Sequence, residues 1–93
     1  MAISSAPDQL DGTIRDILRA HGHLYVDAGS IREGDDLFRC GMSSHANVSV
    51  MLALEEVFAV EFPEHMLRRS TFESVASIRE AIAELLAGDQ RAN

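Results

Sequence analysis

At Cys40-Gly41-Met42-Ser43-Ser44-His45-Ala46-Asn47-Val48, a glycine-punctuated loop leads into the most apolar helical segment of the chain. A serine before an apolar helix most often serves as its N-cap, and two adjacent serines allow two roles. We predict that Ser43 caps the helix while Ser44, one position inside, keeps its hydroxyl toward solvent. The free N–H groups and the positive dipole end beside Ser44 favour a phosphate on that hydroxyl. The stretch therefore indicates a modification site more than an active site.

The length and composition are typical of one small soluble domain. The 93 residues allow a single core of three or four elements, so we predict one domain over 1–93 with an ordered core at about 8–87. No apolar run approaches the roughly 18 to 20 residues that span a bilayer, and the N-terminus lacks the pattern of a signal peptide. We expect a cytoplasmic protein that does not bind membranes.

The charge pattern excludes several classes of function. The net charge of -7 argues against a nucleic-acid surface, which needs clustered cations. All eight basic residues are arginine, so a lysine nucleophile is excluded. Cys40 is the only cysteine, and we expect it to pack a loop. Four acids of the central segment meet no arginine between Ser44 and Met66, and such a face can steer a protein to a basic partner; they are Glu55, Glu56, Glu61 and Glu64.

Apolar residues at helical spacing predict three major helices. The first runs from Pro7 to Gly22, with a stripe of Leu10, Ile14, Ile17 and Leu18. The second runs from about Ser44 to Val60, and its wide apolar side predicts a central position; that side carries Val48, Met51, Leu52, Leu54 and Phe58. The third starts at the capping-box pattern Ser70-Thr71-Phe72-Glu73 and closes at Gly88, with a stripe of Phe72, Val75, Ile78, Ile82, Leu85 and Leu86.

The connections are predicted from turn and breaker residues. Phe62-Pro63 ends the second helix, and Glu64 to Arg68 forms a short helix with Met66 and Leu67 turned inward. The long connection from Gly22 to Ser43 must be held to the core by apolar residues, for which the candidates are Leu24, Val26, Ile31, Leu37 and Phe38. Asp35 or Asp36 can cap a turn there, whereas a strand at Leu24 to Val26 would have no partner.

The histidines do not predict a metal site or a hydrolase. Only His21 and His23 are close in sequence, and no cysteine pair completes a zinc site. His45 follows Ser44 directly, but adjacent residues on a helix point about 100 degrees apart, which disfavours a serine-histidine nucleophile pair.

The ordered set of elements resembles the acyl carrier protein family over roughly residues 8 to 87. The run from Asp36 to His45 is similar to the family's loop and attachment motif, whose usual core is Gly, any residue, Asp, Ser, Leu. The segment from Val48 to Phe58 is similar to its recognition helix. The resemblance implies an all-α, four-helix bundle of three major helices and one short helix, with a long loop between helices one and two.

This resemblance implies a covalent cofactor and implies which classes of enzyme act on the chain. Ser44 would carry 4'-phosphopantetheine, installed by a phosphopantetheinyl transferase, and cargo would ride as a thioester on the arm's thiol. The protein would then be a substrate of enzymes, not an enzyme. Ser43 stands where the motif usually has aspartate and is a minor rival for attachment. We expect partners to contact the surface around the second helix, which comprises Met42, Ser43, His45, Val48, Glu55, Glu56, Glu61, Arg68 and Arg69.

Two stretches resemble a narrower group, the bacterial aminoacyl carrier proteins. They are Gly41 to His45 and Met66 to Glu73. The resemblance implies loading with a small amino acid by an amino acid:[carrier protein] ligase, a relative of seryl-tRNA synthetase, and leaves the downstream acceptor unknown. One alternative is an ordinary acyl carrier for fatty-acid, lipid or polyketide assembly. A second is an unmodified helical module that binds partners through its acidic helix.

Overall fold

Three α-helices form the framework of the protein. In the computed structural model, which describes residues 7–91 and the side chains of residues 9–88, they are α1 (Pro7–His21), α2 (Ser44–Phe58) and α3 (Val75–Arg91). Short 3₁₀ helices occupy Ala28–Ser30, Glu64–Met66 and Arg69–Phe72. No strand occurs within residues 7–91. The all-α prediction is confirmed, and the segment Leu24 to Val26 is not a strand.

Helix α1 holds the central position. It packs closely against both α2 and α3, and its stripe Leu10, Ile14, Ile17 and Leu18 is buried as predicted. The expectation that α2 is the central helix was wrong, because part of its apolar side faces solvent at Val48 and Leu52. Of the predicted apolar side, Leu54 is buried and Met51 and Phe58 pack partly against the core, where Ala46 and Val50 join them.

Helix α2 ends two residues before the predicted Val60. Ala59 adopts the left-handed conformation with φ 55°, and its N–H donates to the carbonyl of Glu55. The following chain is drawn inward at Phe62, whose ring meets that of Phe72 edge-on at 5.1 Å between centroids. Met66 is buried as predicted, but Leu67 is 49% exposed, so the prediction of an inward Leu67 was wrong.

Helix α3 begins at Val75 and not at the predicted Ser70. Ser74 and Ser77 cap each other: the Ser77 N–H donates to Ser74 Oγ at 3.1 Å, and the Ser74 N–H donates to Ser77 Oγ at 3.1 Å. The helix also continues past Gly88, which was predicted to end it, as far as Arg91. Of the predicted stripe, Phe72, Val75, Ile78 and Ile82 are buried, and Leu85 and Leu86 pack partly buried against the core.

Hydrogen bonds to distant residues hold the long connection between α1 and α2. The guanidinium of Arg15 donates to the carbonyls of Ala28 and Ile31 at 2.7 and 2.6 Å. Of the predicted apolar anchors, Ile31 and Leu37 are buried, and Leu24 and Phe38 pack against the core. Val26 was predicted wrongly, since it is 49% exposed. None of the described helices has the length and apolar character that a membrane crossing requires.

Candidate functional site

The two serines at the start of α2 have different environments. Ser43 is the N-cap residue, and its Oγ accepts a hydrogen bond from the Ala46 N–H at 3.0 Å. Its carbonyl accepts from the Asn47 N–H at 2.9 Å. The capping role predicted for Ser43 is therefore confirmed, and its hydroxyl oxygen accepts a hydrogen bond from the first turn of α2.

Ser44 is the first residue of α2 and is exposed. Within the described chain, no hydrogen bond uses its hydroxyl or the backbone N–H groups of Ser44 and His45. The first turn of α2 also contains no acidic residue. Free N–H groups and the helix dipole favour an anion at this position. The site thus has an exposed hydroxyl in surroundings that favour a negatively charged group.

The loop before the serines is fixed on both sides. The Tyr25 N–H donates to the Cys40 carbonyl at 2.7 Å, and the Met42 N–H donates to the Leu37 carbonyl at 3.1 Å. Gly41 between them has φ 117°, which favours glycine. Met42 is only 2% exposed. The prediction that Met42 contacts a partner was therefore wrong, because its side chain fills the core beneath the loop.

A turn capped by Asp36 begins this loop. Asp36 Oδ1 accepts from the Phe38 N–H at 2.9 Å, as one of the two predicted caps. The pKa of the Cys40 thiol is raised, first by burial and then by the nearby charges of Asp35 and Asp36. Cys40 therefore stays protonated and packs the loop, which is the role predicted for it.

The arginine pair makes contacts within the chain. The guanidinium of Arg69 lies over the Phe38 ring, 3.9 Å from its centroid, and so joins the loop before α2 to the segment before α3. Arg68 Nε donates to the His65 carbonyl at 3.0 Å. Both side chains remain exposed, so these contacts leave them accessible to a partner.

The acidic residues proposed as partner contacts also differ from one another. Glu55 Oε2 accepts from the Phe62 N–H at 2.9 Å, which fixes the chain after α2. Glu56 and Glu61 are exposed. Glu55 thus has an internal role, whereas the other two present their charges to solvent.

An exposed apolar strip runs along α2 from the side of Ser44. Val48, one turn after Ser44, is 50% exposed, and Leu52, two turns after it, is 55% exposed. His45 is exposed beside them. Val48 is a predicted partner contact, whereas Leu52 was predicted only as part of the apolar side of the helix. Counting in steps of four from Ser44 would have placed Leu52 on this face.

A groove lies next to this strip, between α2 and the segment before α3. It has a volume of about 230 Å³ and is lined by Asn47, Val48, Met51, Leu67, Arg68 and Phe72. Asn47 Oδ1 is buried and has no hydrogen-bond partner in the described part of the chain. A buried acceptor without a donor costs about 1–3 kcal/mol. Asn47 was not among the predicted site residues, because the groove also needs residues that are distant in the sequence.

Comparison with known proteins shows a relative of similar length. No protein-family model matches the chain. It is 37% identical over 83 residues to an aminoacyl carrier protein from Agrobacterium fabrum, which covers 89% of this chain and 100% of that protein.

Two solved structures are similar to this fold. One is the carrier protein from Agrobacterium tumefaciens in complex with an engineered Bradyrhizobium japonicum glycine:[carrier protein] ligase and AMP. It has a TM-score of 0.77 and 38% sequence identity, and the match covers 78% of this chain and 97% of that chain. The other is a solution structure from Agrobacterium tumefaciens, with a TM-score of 0.69 and 37% identity over 87% of this chain and 98% of that chain. The chain therefore belongs to the aminoacyl carrier protein family, whose members are carriers handled by enzymes and not enzymes themselves.

Proposed function

We propose that this carrier protein bears 4'-phosphopantetheine on Ser44 and holds a small amino acid as a thioester on that arm. The observation that supports the proposal best is the division of roles between the two serines. Ser43 Oγ is bonded to the Ala46 N–H, whereas the Ser44 hydroxyl is exposed and free. Ser44 is thus the serine at the helix start whose hydroxyl makes no hydrogen bond in the described chain.

The residues around Ser44 fit the phosphopantetheine group. The N–H groups of Ser44 and His45 make no hydrogen bond in the described chain, and the dipole of α2 would stabilise the charge of a phosphodiester on Ser44. The groove next to Val48 has apolar walls at Val48, Met51 and Leu67. The bound arm would supply a terminal thiol for the cargo, a role for which Cys40 is unsuited because it is partly buried and packs against the core.

We further propose that two enzymes act on the chain. A phosphopantetheinyl transferase installs the arm, and an amino acid:[carrier protein] ligase, similar to seryl-tRNA synthetase, loads it. The similar carrier protein from Agrobacterium tumefaciens forms a complex with a glycine:[carrier protein] ligase, which supports glycine or another small amino acid as cargo. The docking face assigned here consists of Ser43, His45, Val48, Leu52, Glu56, Glu61, Leu67, Arg68 and Arg69.

This docking face is more apolar at its centre than the sequence indicates. Val48 and Leu52 are half exposed next to Ser44, while Glu56 and Glu61 lie farther along the chain. Apolar contacts at the centre of an interface supply most of its affinity, and charges at the rim mainly set the association rate. We therefore expect salt to slow association with the ligase and to change the dissociation rate little.

The attachment site is tested by intact mass after co-expression with a phosphopantetheinyl transferase. We expect the wild-type chain and Ser43→Ala to gain one arm and Ser44→Ala to gain none, with the helical circular dichroism signal retained in all three. Modification of Ser44→Ala would contradict the assignment. A wild-type chain that stays at its sequence mass would instead favour the unmodified helical module.

The cargo is tested on protein isolated from its native cell. We expect the thioester-bound group to have the mass of a small aminoacyl group that hydroxylamine releases. A fatty or malonyl-type acyl group with no aminoacyl form would overturn the amino-acid proposal and favour an ordinary acyl carrier.

A further inference from the structure

An exposed aromatic ring lies beside the loop that leads to Ser44. Tyr25 is 84% exposed, and its neighbour Val26 is 49% exposed. The Tyr25 backbone is nevertheless fixed, because its N–H donates to the Cys40 carbonyl at 2.7 Å. Its ring lies against Gly41, where an added Cβ would be 3.1 Å from two ring atoms. The ring is therefore held next to the loop while most of its surface faces solvent.

Two arginines add positive charge to the same loop. Arg39 directly precedes Cys40; its side chain is 87% exposed, and its nearest carboxylate oxygen, on Asp36, is 4.0 Å away. Arg69 reaches the loop through its contact with the Phe38 ring, whose centroid is 3.9 Å from the guanidinium. Arg69 is exposed and forms no ion pair within the described chain. Both guanidinium groups are therefore accessible to a partner.

The acidic residues of this loop point toward its own backbone. Asp36 Oδ1 accepts from the Phe38 N–H at 2.9 Å, and Asp35 Oδ2 accepts from the Arg32 N–H at 2.9 Å. Both carboxylates are only partly exposed, whereas Arg39 extends into solvent. A chain with a net charge of -7 thus presents cations on this side of its serine loop. A partner surface that carries carboxylates is complementary to it.

The loop surface, as we define it, consists of Tyr25, Val26, Arg39 and Arg69. We infer that the ligase that loads the arm docks on the loop surface with carboxylates that surround an apolar depression. This inference rests on the proposed function and extends the docking face, since Tyr25 and Arg39 are new to it. The ligase is the partner because the similar carrier protein from Agrobacterium tumefaciens forms a complex with such an enzyme. Tyrosine and arginine are also the residue types in which binding energy concentrates at interfaces.

The test measures binding of the intact, arm-bearing protein to the amino acid:[carrier protein] ligase of the same organism at low and high salt. We expect Arg39→Glu to associate about tenfold more slowly at low salt, and the difference to shrink at high salt because ions screen exposed charges. Tyr25→Ala should instead dissociate about tenfold faster at both salt concentrations, since it loses an apolar contact. Urea unfolding of Arg39→Glu should match that of the wild-type protein, because the side chain packs against nothing that its loss would expose.

Arg32→Glu is the matched control, because it changes the net charge by the same amount. Arg32 is exposed on the long connection, between the Ile31 carbonyl, which is bonded to Arg15 of α1, and the Glu33 carbonyl, which is bonded to the Ala76 N–H of α3. We expect its association rate to fall less than about twofold. The conservative variants Arg39→Lys and Tyr25→Phe keep the charge and the ring, and we expect both to bind the ligase as the wild-type protein does.

The outcomes separate this inference from the proposed function. If the ligase loads the wild-type arm, and Arg39→Glu and Tyr25→Ala bind it with wild-type rates, the loop surface is not a docking site and the proposed function stands. Equally slow association of Arg32→Glu and Arg39→Glu would also overturn the inference, since net charge alone would then explain the effect. If the ligase does not load the wild-type protein, both the proposed function and the inference fail.

Discussion

Gly41 is the residue on which the placement of the two serines most directly depends. Its φ is 117°, and a Cβ added there would lie 3.0 Å from the Tyr25 backbone nitrogen and 3.1 Å from two atoms of the Tyr25 ring. Backbone atoms cannot move aside as the end of a flexible side chain can. An L-residue at this position is therefore strained in its backbone and crowded by Tyr25.

We predict that Gly41→Ala lowers the free energy of unfolding by about 1–3 kcal/mol. Gly34→Ala is the control, because nothing lies within 4 Å of a Cβ added at Gly34, and we expect it to change stability by less than about 0.5 kcal/mol. Urea unfolding of both variants measures the difference. Equal stability of the two variants would show that the Gly41 conformation is not a constraint.

Asp27 makes the stability of the protein depend on pH through the loop before Ile31. Its pKa is lowered from 3.8, first by the hydrogen bond from Arg19 and then by the Gly29 N–H. A carboxyl group whose pKa is lower in the folded state stabilises the protein above its unfolded pKa and loses that effect as pH falls through its folded pKa. The stabilisation from Asp27 is thus present at neutral pH and disappears in acid.

We predict that the wild-type protein is more stable than Asp27→Asn at pH 7 and that this gap closes as the pH falls below the ordinary carboxyl range. The gap is expected to be small, because the pair with Arg19 is exposed and screened by solvent. Denaturant unfolding across acidic and neutral pH measures it. A stability difference between the two proteins that does not change with pH would show that the charge of Asp27 does not cause it.

At the level of elements, the start of α3 shows where local patterns become ambiguous. Two serine patterns follow each other four residues apart, at Ser70 and at Ser74. The Thr71 N–H is bonded to the Arg68 carbonyl in a 3₁₀ turn, and the Glu73 carbonyl accepts from the Leu37 N–H at 2.7 Å. A contact with a residue far away in the sequence therefore decides which serine caps the helix.

We predict that Ser74→Ala destabilises the protein by about 1 kcal/mol, since it removes the bond to the Ser77 N–H. Ser70 is exposed and not at the helix start, so Ser70→Ala should change stability by less than about 0.5 kcal/mol. Thermal unfolding compares the two. A larger loss of stability in Ser70→Ala than in Ser74→Ala would show that Ser70 caps the helix.

Across the whole molecule, the sequence predicts what depends on neighbours and misses what depends on distant partners. The helical stripes and the cap at Ser43 follow from residues within one or two turns of each other. The anchoring of the long connection needs Arg15 to reach the carbonyls of Ala28 and Ile31. The groove at Asn47 likewise needs Phe72 to fold over α2. Neither arrangement has a local sequence signal.

The last prediction concerns Arg79, which joins three parts of the molecule. Its Nη1 lies 2.7 Å from Asp11 Oδ1 on α1, and its Nη2 lies 2.8 Å from Glu33 Oε1 on the long connection. The side chain is 21% exposed, so water screens these pairs less than it screens most surface pairs. We predict that Arg79→Met lowers the free energy of unfolding by about 1–2 kcal/mol.

Arg79→Lys should recover only part of this loss, because a single ammonium group does not reproduce the planar fork that reaches both carboxylates. Arg39→Met is the matched control, since the Arg39 side chain is 87% exposed and its nearest carboxylate oxygen, on Asp36, is 4.0 Å away. We expect that variant to match the wild-type protein in urea unfolding. Full recovery of the free energy of unfolding in Arg79→Lys would show that a positive charge alone is enough to hold α1 and the long connection to α3. The Glu33 carbonyl also accepts a hydrogen bond from the Ala76 N–H at 2.9 Å. The long connection that leads to Ser44 would therefore keep one hydrogen bond to α3 when the Arg79 side chain is replaced. We expect Arg79→Met to lower stability while Ser44 still accepts the arm.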